Sequence, residues 1–216
     1  MRKDLIIDWL AKRGQSLTDN QISQMARYQE MVLSAPMNLT AIKSNEDFAI
    51  KHFIDSLTLL PWLSALTENA SCIDIGTGAG FPGVPIKIAR PGLCITLLDS
   101  ILKRILFLRS AIDELGLQGI QCIHARAEDF AKQSGVIYDV AVARAVARLS
   151  RLVEYSLPLV KTGGLFLAMK GPNTYEEIQD AKPALRKYGG VIESLETVDI
   201  SQEIRHAIIV VKKTLI

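Results

Sequence analysis

The chain has 216 residues, of which 49% are hydrophobic and 22% charged; that is enough apolar material for a sizeable core, and it excludes a disordered chain or a disulfide-stapled miniprotein. Lysine and arginine total 25 against 23 aspartate and glutamate, a formal +2, so net charge alone does not point to nucleic acid. Its distribution says more: residues 69–170 hold 12 basic and 8 acidic side chains, whereas 1–68 hold 7 and 8, and 171–216 hold 6 and 7. The positive excess lies mid-chain and bears on partners, not on fold.

Residues 1–68 read as a helical extension. Leu5, Ile6, Trp9 and Leu10 recur at helical spacing. Thr18 and Gln21 form a capping box ahead of Ile22, Met25, Tyr28 and Val32, and Pro36 ends that helix. Ser44 caps a third helix with Asp47 in its first turn and Phe48, His52, Asp55 and Leu59 on related faces. From 69 to 216 the texture changes. Strand-like runs at 72–75, 94–98, 120–123, 140–143 and 164–169 alternate with helical patterns at 84–90, 101–115, 126–132, 149–159 and 175–187. Such alternation predicts a parallel sheet with helices on both faces. Runs at 191–198 and 208–211 have no helix between them and predict an antiparallel hairpin at the sheet edge. The expected organisation is an α/β body, 69–216, with the helices of 1–68 packed on it.

Cys72, Cys94 and Cys122 sit in short apolar runs without a CxxC, the pattern of reduced, buried thiols in the cytoplasm and not of a disulfide framework or a zinc site. The N-terminus is broken by Asp4, Asp8 and Lys12 and lacks the apolar stretch of a signal peptide. No transmembrane span is expected, since runs of about 18 apolar residues are missing. A cytoplasmic monomer without a membrane is the expectation. His52, His124 and His206 are too scattered along the chain to read as a metal site, and His52 reads as a core-rim residue.

The strongest local signal follows the first strand. Asp74 precedes glycines at 76, 78, 80 and 83, four in eight residues; glycine permits positive φ and close backbone approach to a ligand. In open α/β sheets ligands bind at the carboxyl ends of strands. A dinucleotide fingerprint counted from Gly76 needs glycine or alanine at 81, where Phe81 stands, which weighs against nicotinamide or flavin. Asp74-x-Gly76-x-Gly78-x-Gly80 is instead the usual form for S-adenosylmethionine (SAM). Asp99 ends the next strand, 25 residues after Asp74, where a carboxylate accepts the ribose hydroxyls or, on the other reading, caps the following helix. After the third strand, Ala127 and Glu128 are placed to meet an adenine, or Glu128 and Asp129 simply favour a helix start.

The fourth strand ends in Ala143 and Arg144, without the Asp/Asn-Pro-Pro-Tyr of exocyclic-amine methylation, and no Pro-Cys supplies a nucleophile for pyrimidine C5. What remains is a target that is already nucleophilic, such as guanine N7, whose attack on a sulfonium methyl needs no general base and depends on alignment and electrostatics. Lys103, Arg104, Arg126, Arg144 and Lys170 all follow strands and should share the carboxyl rim beside the cofactor, with Arg148 and Arg151 on the next helix. A cationic rim beside a methyl donor fits a phosphate-rich substrate.

Asn38-Leu39-Thr40, His52-Phe53-Ile54-Asp55-Ser56-Leu57, the Asp74 glycine loop continuing into Phe81-Pro82-Gly83-Val84-Pro85, Asp99 with Lys103-Arg104, Arg126-Ala127-Glu128, Arg144 and Lys170-Gly171 together resemble the bacterial RsmG proteins, also called glucose-inhibited division protein B. The resemblance spans nearly the whole chain. It implies a Rossmann-like class I SAM-dependent methyltransferase sheet with an N-terminal helical extension. It implies transfer of a methyl group from S-adenosyl-L-methionine to N7 of one guanine in small-subunit rRNA, position 527 of 16S rRNA, with S-adenosyl-L-homocysteine as product. The partner implied is 16S rRNA, the small ribosomal subunit or its assembly intermediate. Carried over by position, Gly76, Phe81, Ala127, Glu128 and Arg144 match the family's cofactor contacts, and Lys103, Arg126, Arg144 and Lys170 match basic positions that handle RNA or serve catalysis. Three other readings stand beside this one: a small-molecule methyltransferase on the same fold, a non-catalytic RNA-binding protein, and an NAD oxidoreductase, which Phe81 disfavours.

Overall fold

A computed structural model of the protein describes residues 1–133, 135, 137–144, 147–171, 174–201 and 203–215. The first helix, α1 (Lys3–Ala11), buries Ile6, Trp9 and Leu10. In α2 (Asp19–Ser34) the predicted capping box is present in both directions between Thr18 and Gln21, and Met25, Tyr28 and Val32 face inward. The third helix departs from expectation. Ser44 caps α3 (Asn45–Phe48), which passes into a π-helical stretch, Ala49–Ile54, before α4 (Asp55–Leu57). A short α5 (Leu60–Ser64) leads into the sheet.

The α/β body runs β1 (Ser71–Ile75), α6 (Gly83–Ala89), β2 (Cys94–Asp99), α7 (Leu102–Leu115), β3 (Ile120–His124), α8 (Ala127–Gln133), β4 (Tyr138–Arg144), α9 (Leu149–Ser156), β5 (Val160–Lys170), α10 (Tyr175–Lys187), β6 (Gly190–Asp199) and β7 (Arg205–Lys213). The strand order is β3-β2-β1-β4-β5-β7-β6. The first five strands are parallel, and the predicted hairpin closes the edge antiparallel, with β7 against β5. The order reverses between β1 and β4, which makes the crevice at their carboxyl ends the place for a ligand. Helix 149–159 is shorter than expected: Pro158 lacks an N–H, and Leu157–Leu159 is a 3-10 turn. Strand β5 starts before Gly163 and Gly164, and a register shift against β4 absorbs the extra residues.

The central parallel strands β1, β2, β4 and the second half of β5 are buried on both faces, as inner parallel strands are, whereas the outer strand β3 is only partly covered. Cys72, Ile95, Leu97, Val140 and Val142 join one apolar cluster with α1, α2, α6 and α7, while Ile73, Ile75, Ala141, Ala143 and Phe166 join a second with α9 and α10. The helices of residues 1–68 thus share a core with one sheet face. Cys72 is buried, but Cys94 is exposed and Cys122 only half-buried, contrary to the expectation of three buried thiols: Cys94 opens β2, outside the covered part of the strand, and Cys122 lies in the outer strand β3.

The loop after β1 is tied down by two carboxylates and by tight packing. Asp74 Oδ2 accepts from Thr77 Oγ1 (2.6 Å) and Gly83 N–H (2.8 Å), while its Oδ1 is buried without a partner among the described residues. Burial pushes the Asp74 carboxyl up to about 6. Gly80 has φ +82°, and a Cβ there would overlap the Tyr28 hydroxyl and sit 2.8 Å from Leu108 and Val84. Tyr28 Oη donates to Ala79 O at 2.5 Å, pinning the same loop to α2.

Gly80→Ala should therefore lower stability by about 2–4 kcal/mol, from overpacking plus left-handed strain; a denaturant midpoint equal to wild type would refute the packing account. Asp74→Asn tests the raised carboxyl. The folded state holds the Asp74 proton up to about 6, whereas the unfolded chain releases it near 3.8. Stability contributed by that proton is full below about 4 and is lost as pH rises through about 6. The stability of Asp74→Asn relative to wild type should rise across that window, by about 1–3 kcal/mol, and be flat on either side; a difference independent of pH would disprove it.

Candidate active site

Three strand ends build a cavity of about 200 Å³. Ile75 and Gly76 come from the end of β1; Leu98, Asp99 and Ser100 from the end of β2; Ala125 and Arg126 follow β3, and Ala127 and Glu128 open α8. Tyr155 of α9 closes it. Ile75, Leu98, Ala125 and Ala127 offer apolar walls to a planar base, and Asp99, Ser100 and Glu128 offer polar groups. A larger groove, about 1040 Å³, lies between α1, residues 44–54 and the β6–β7 turn; none of the cofactor residues predicted from sequence lines it, and its Lys51 and Arg205 are paired with Asp47 and Asp199.

Asp99 caps α7, as one of its two sequence readings has it, and it also borders the cavity. Its Oδ1 accepts from Ile101 N–H at 2.8 Å, at the start of α7. Its Oδ2 accepts from Gly78 N–H at 2.9 Å and from Arg104 Nη1 at 3.3 Å. A carboxylate has about four lone-pair sites, so one capacity remains for a hydroxyl. The residues present fit a nucleoside-bearing cation. A Cβ on Gly78 would find only Gly76 O, 4.0 Å away, so the loop backbone faces open space, and the orphaned Asp74 Oδ1 lies under the same loop. Gly76, Gly78, Asp99, Ala127 and Glu128 are therefore brought together, whereas Asp74, expected among the cofactor contacts, is fully buried beneath the loop, and Gly80, also expected there, has its side-chain position filled by Tyr28, Leu108 and Val84. Phe81 is brought in differently: its ring is buried among Tyr28, Phe48, His52 and Phe53, so only its backbone can meet a ligand.

The cationic rim is smaller than the sequence suggests. Lys103, Arg104, Arg126, Arg144 and Lys170 do follow the strand ends, but three of them are engaged. Arg104 pairs with Asp99. Lys170, expected as a free rim cation, is corrected here: its ammonium lies 2.7 Å from Glu177, also bonds Ala147 O, and is only 9% exposed. Glu177, on the first turn of α10, was not foreseen. Arg148, which precedes α9, pairs with Asp180, and Arg151 on α9 pairs with Glu154. Lys103 and Arg126 are exposed, without a carboxylate partner among the described residues.

Arg144 ends β4 and turns toward the N-terminal helices. Its Nη1 donates to Asp55 Oδ2 at 2.7 Å and to Lys51 O at 2.8 Å, and its Nη2 lies 3.3 Å from His52 Nδ1. The guanidinium carbon stands 5.4 Å from the centre of the Phe81 ring, on which His52 stacks at 4.3 Å and 11°. His52 Nε2 is 2.8 Å from Thr40 Oγ1. Arg144 has only hydrogens to give, so His52 Nδ1 accepts and the proton is on Nε2. Burial, with Arg144 beside it, pushes the imidazole down to about 3, so it is neutral. Asp55 Oδ1 is 2.6 Å from His206 Nδ1, although without an aligned N–H. Asp55 as the partner of Arg144 was missed. The available signal was an aspartate one turn after His52 on an apolar helix face.

Comparison with known proteins identifies the family. The family model GidB, described as rRNA small subunit methyltransferase G, matches residues 21–208. The ribosomal RNA small subunit methyltransferase G of Alkaliphilus oremlandii (strain OhILAs) is 45% identical over 216 residues, covering 98% of this chain and 90% of that protein. The protein of the same name from Clostridium botulinum (strain Loch Maree / Type A3) is 46% identical over 200 residues, covering 90% and 83%. Among solved structures, M. jannaschii TYW2 in complex with AdoMet superposes with a TM-score of 0.57 at 13% identity, covering 74% of this chain and 76% of that one, which speaks for the fold alone. The resemblance drawn from the motifs is borne out, and this chain belongs to the rRNA small subunit methyltransferase G family.

Proposed function

We propose that the protein transfers a methyl group from S-adenosyl-L-methionine to N7 of guanine 527 in 16S rRNA, presented by the small ribosomal subunit or its assembly intermediate. The observation that carries this reading is the convergence, at the β1–β4 reversal, of the Asp74–Asp99 glycine loop with Arg144. When bound, the cofactor supplies an electrophilic sulfonium methyl.

The protein's own residues then have few tasks. Asp99 and Glu128 hold polar groups of the nucleoside, and Ile75, Leu98, Ala125 and Ala127 exclude water from its faces. Guanine N7 carries no proton, so the site needs no base, and it offers none at His52, whose Nδ1 lone pair is taken by Arg144. Arg144, close enough to Asp74 to act on it electrostatically and seated over Phe81 of the same loop, would stand beside the transferred methyl. Its positive charge is paired with Asp55 at 2.7 Å. Exposed Lys103 and Arg126 hold RNA phosphates, and an unpaired or flipped guanine enters next to Arg144. On this reading the protein acts in the cytoplasm as a monomer.

The test is methyl transfer from labelled cofactor to small subunits from cells lacking this protein. Label recovered by mass spectrometry as 7-methylguanosine at one 16S position is the expected result; cofactor binding without label in RNA would overturn the substrate. A second prediction concerns Asp99. Asp99→Asn should weaken cofactor binding about tenfold to a hundredfold, the worth of a charge-assisted hydrogen bond. Calorimetry showing an unchanged dissociation constant would remove Asp99 from the cofactor site.

A further inference from the structure

We propose that Asp55 and His52 are positioning residues for Arg144, fixing its guanidinium at the methyl-transfer site from the N-terminal helical segment. This inference rests on the reading above, in which Arg144 stands beside the transferred methyl.

The argument starts from the backbone. Around residue 50 the helix is π-wound, and Asp55 N–H is shared between His52 O and Ile50 O, three and five residues back, bypassing Lys51 O. The bypassed Lys51 carbonyl accepts from Arg144 Nη1. Single-turn π segments recur at functional sites because they release a backbone group in this way. Asp55 Oδ2 takes the other hydrogen of the same nitrogen, and His52 Nδ1 takes one from Nη2. Three acceptors from five consecutive residues thus hold one guanidinium, while Phe81 supplies its apolar floor.

Each acceptor is in turn held. His52 is stacked on Phe81 and bonded to Thr40, and Thr40 Oγ1 also accepts from Ile42 N–H. Asp55, whose side chain is 1% exposed, has His206 of β7 against its second oxygen. An arginine side chain is otherwise flexible, carrying about 2 kcal/mol of rotamer entropy. Held at three points, it keeps two of its five donors, Nε–H and one on Nη2, without a partner among the described residues. A group acting on a reacting centre has to be held this closely, since small misplacements are expensive in rate.

The experiment uses the full chain and unmethylated small subunits, with Asp55→Asn, Arg144→Lys and the double variant. Asp55→Asn should lower kcat about tenfold to a hundredfold while KM for the subunit changes less than about threefold. In the Arg144→Lys background the same change should cost less than about twofold, because the fork that Asp55 orients is gone. Losses that multiply in the double variant, or full turnover by Asp55→Asn, would overturn the proposal. Should Asp55→Asn fail to fold by circular dichroism, the His52 pair carries the test. His52→Asn keeps an acceptor near the Nδ1 position and should retain most turnover, whereas His52→Leu should lose about tenfold; equal effects of the two would overturn it. If wild type binds cofactor but leaves RNA unlabelled, the substrate reading fails on its own. The cofactor dissociation constants of the same variants then decide the coupling: non-additive shifts support it and additive shifts refute it.

Discussion

A guanidinium buried at the reversal point of a sheet must have a counter-charge within reach, and this requirement organises the protein. Arg144 ends β4 with its side chain only 17% exposed. Among the described residues of the sheet no carboxylate pairs with it; Asp55, 89 residues earlier, does. Taking one member from such a pair costs about 3–5 kcal/mol, because the survivor stays buried and unpaired. The helices of residues 1–68 are therefore components of the site, not an appendage that a bare α/β body could shed. Their packing follows the same logic: Met25, Tyr28, Phe48 and Phe53 enter the apolar cluster that also holds Val84 and Leu108.

The two carboxylates at the glycine loop divide their work by environment. Asp74 is sealed off, with one oxygen spent on Thr77 and Gly83 and the other unmatched. Burial dominates it and favours the protonated form. Asp99, at the cavity wall, is surrounded by donors from Gly78, Ile101 and Arg104. One residue shapes the loop from below; the other shapes it from the side and borders the cavity. Two acids of equal chemistry become different instruments because one strand end is covered and its neighbour opens on the crevice.

Much of this was legible in the sequence. The five parallel strands, the closing hairpin and the capping box at Thr18 and Gln21 all follow from local periodicity and local side-chain chemistry, which the chain displays within a few residues. Asp74, Gly76, Gly78 and Asp99 were legible for the same reason: strand ends in such folds converge by topology. What stayed hidden depends on partners distant in sequence or on surfaces set by packing. Lys170 looked free until Glu177 was placed across from it by the first turn of α10. Cys94 looked buried because its neighbours are apolar, yet it stands at the exposed start of β2. The π-winding at Ala49–Ile54 has no periodic signature in a window that short, and its consequence, a carbonyl given to Arg144, spans 93 residues.

Phe81 joins these threads. A dinucleotide fold keeps position 81 small so that helix and strand pack closely; a phenylalanine there needs a layer of its own. Residues 1–68 supply it: Tyr28 lies 5.6 Å from the ring, Phe48 5.8 Å, Phe53 6.1 Å and His52 4.3 Å in parallel stack. The ring so enclosed is also the floor beneath Arg144. The departure from the dinucleotide pattern, the presence of a helical extension and the placement of the site's buried cation are therefore one structural fact seen at three levels. Replacing Phe81 with a small residue would leave the cluster without its centre and Arg144 without its floor, and a small residue would in turn leave those helices no cause to approach the sheet at this point.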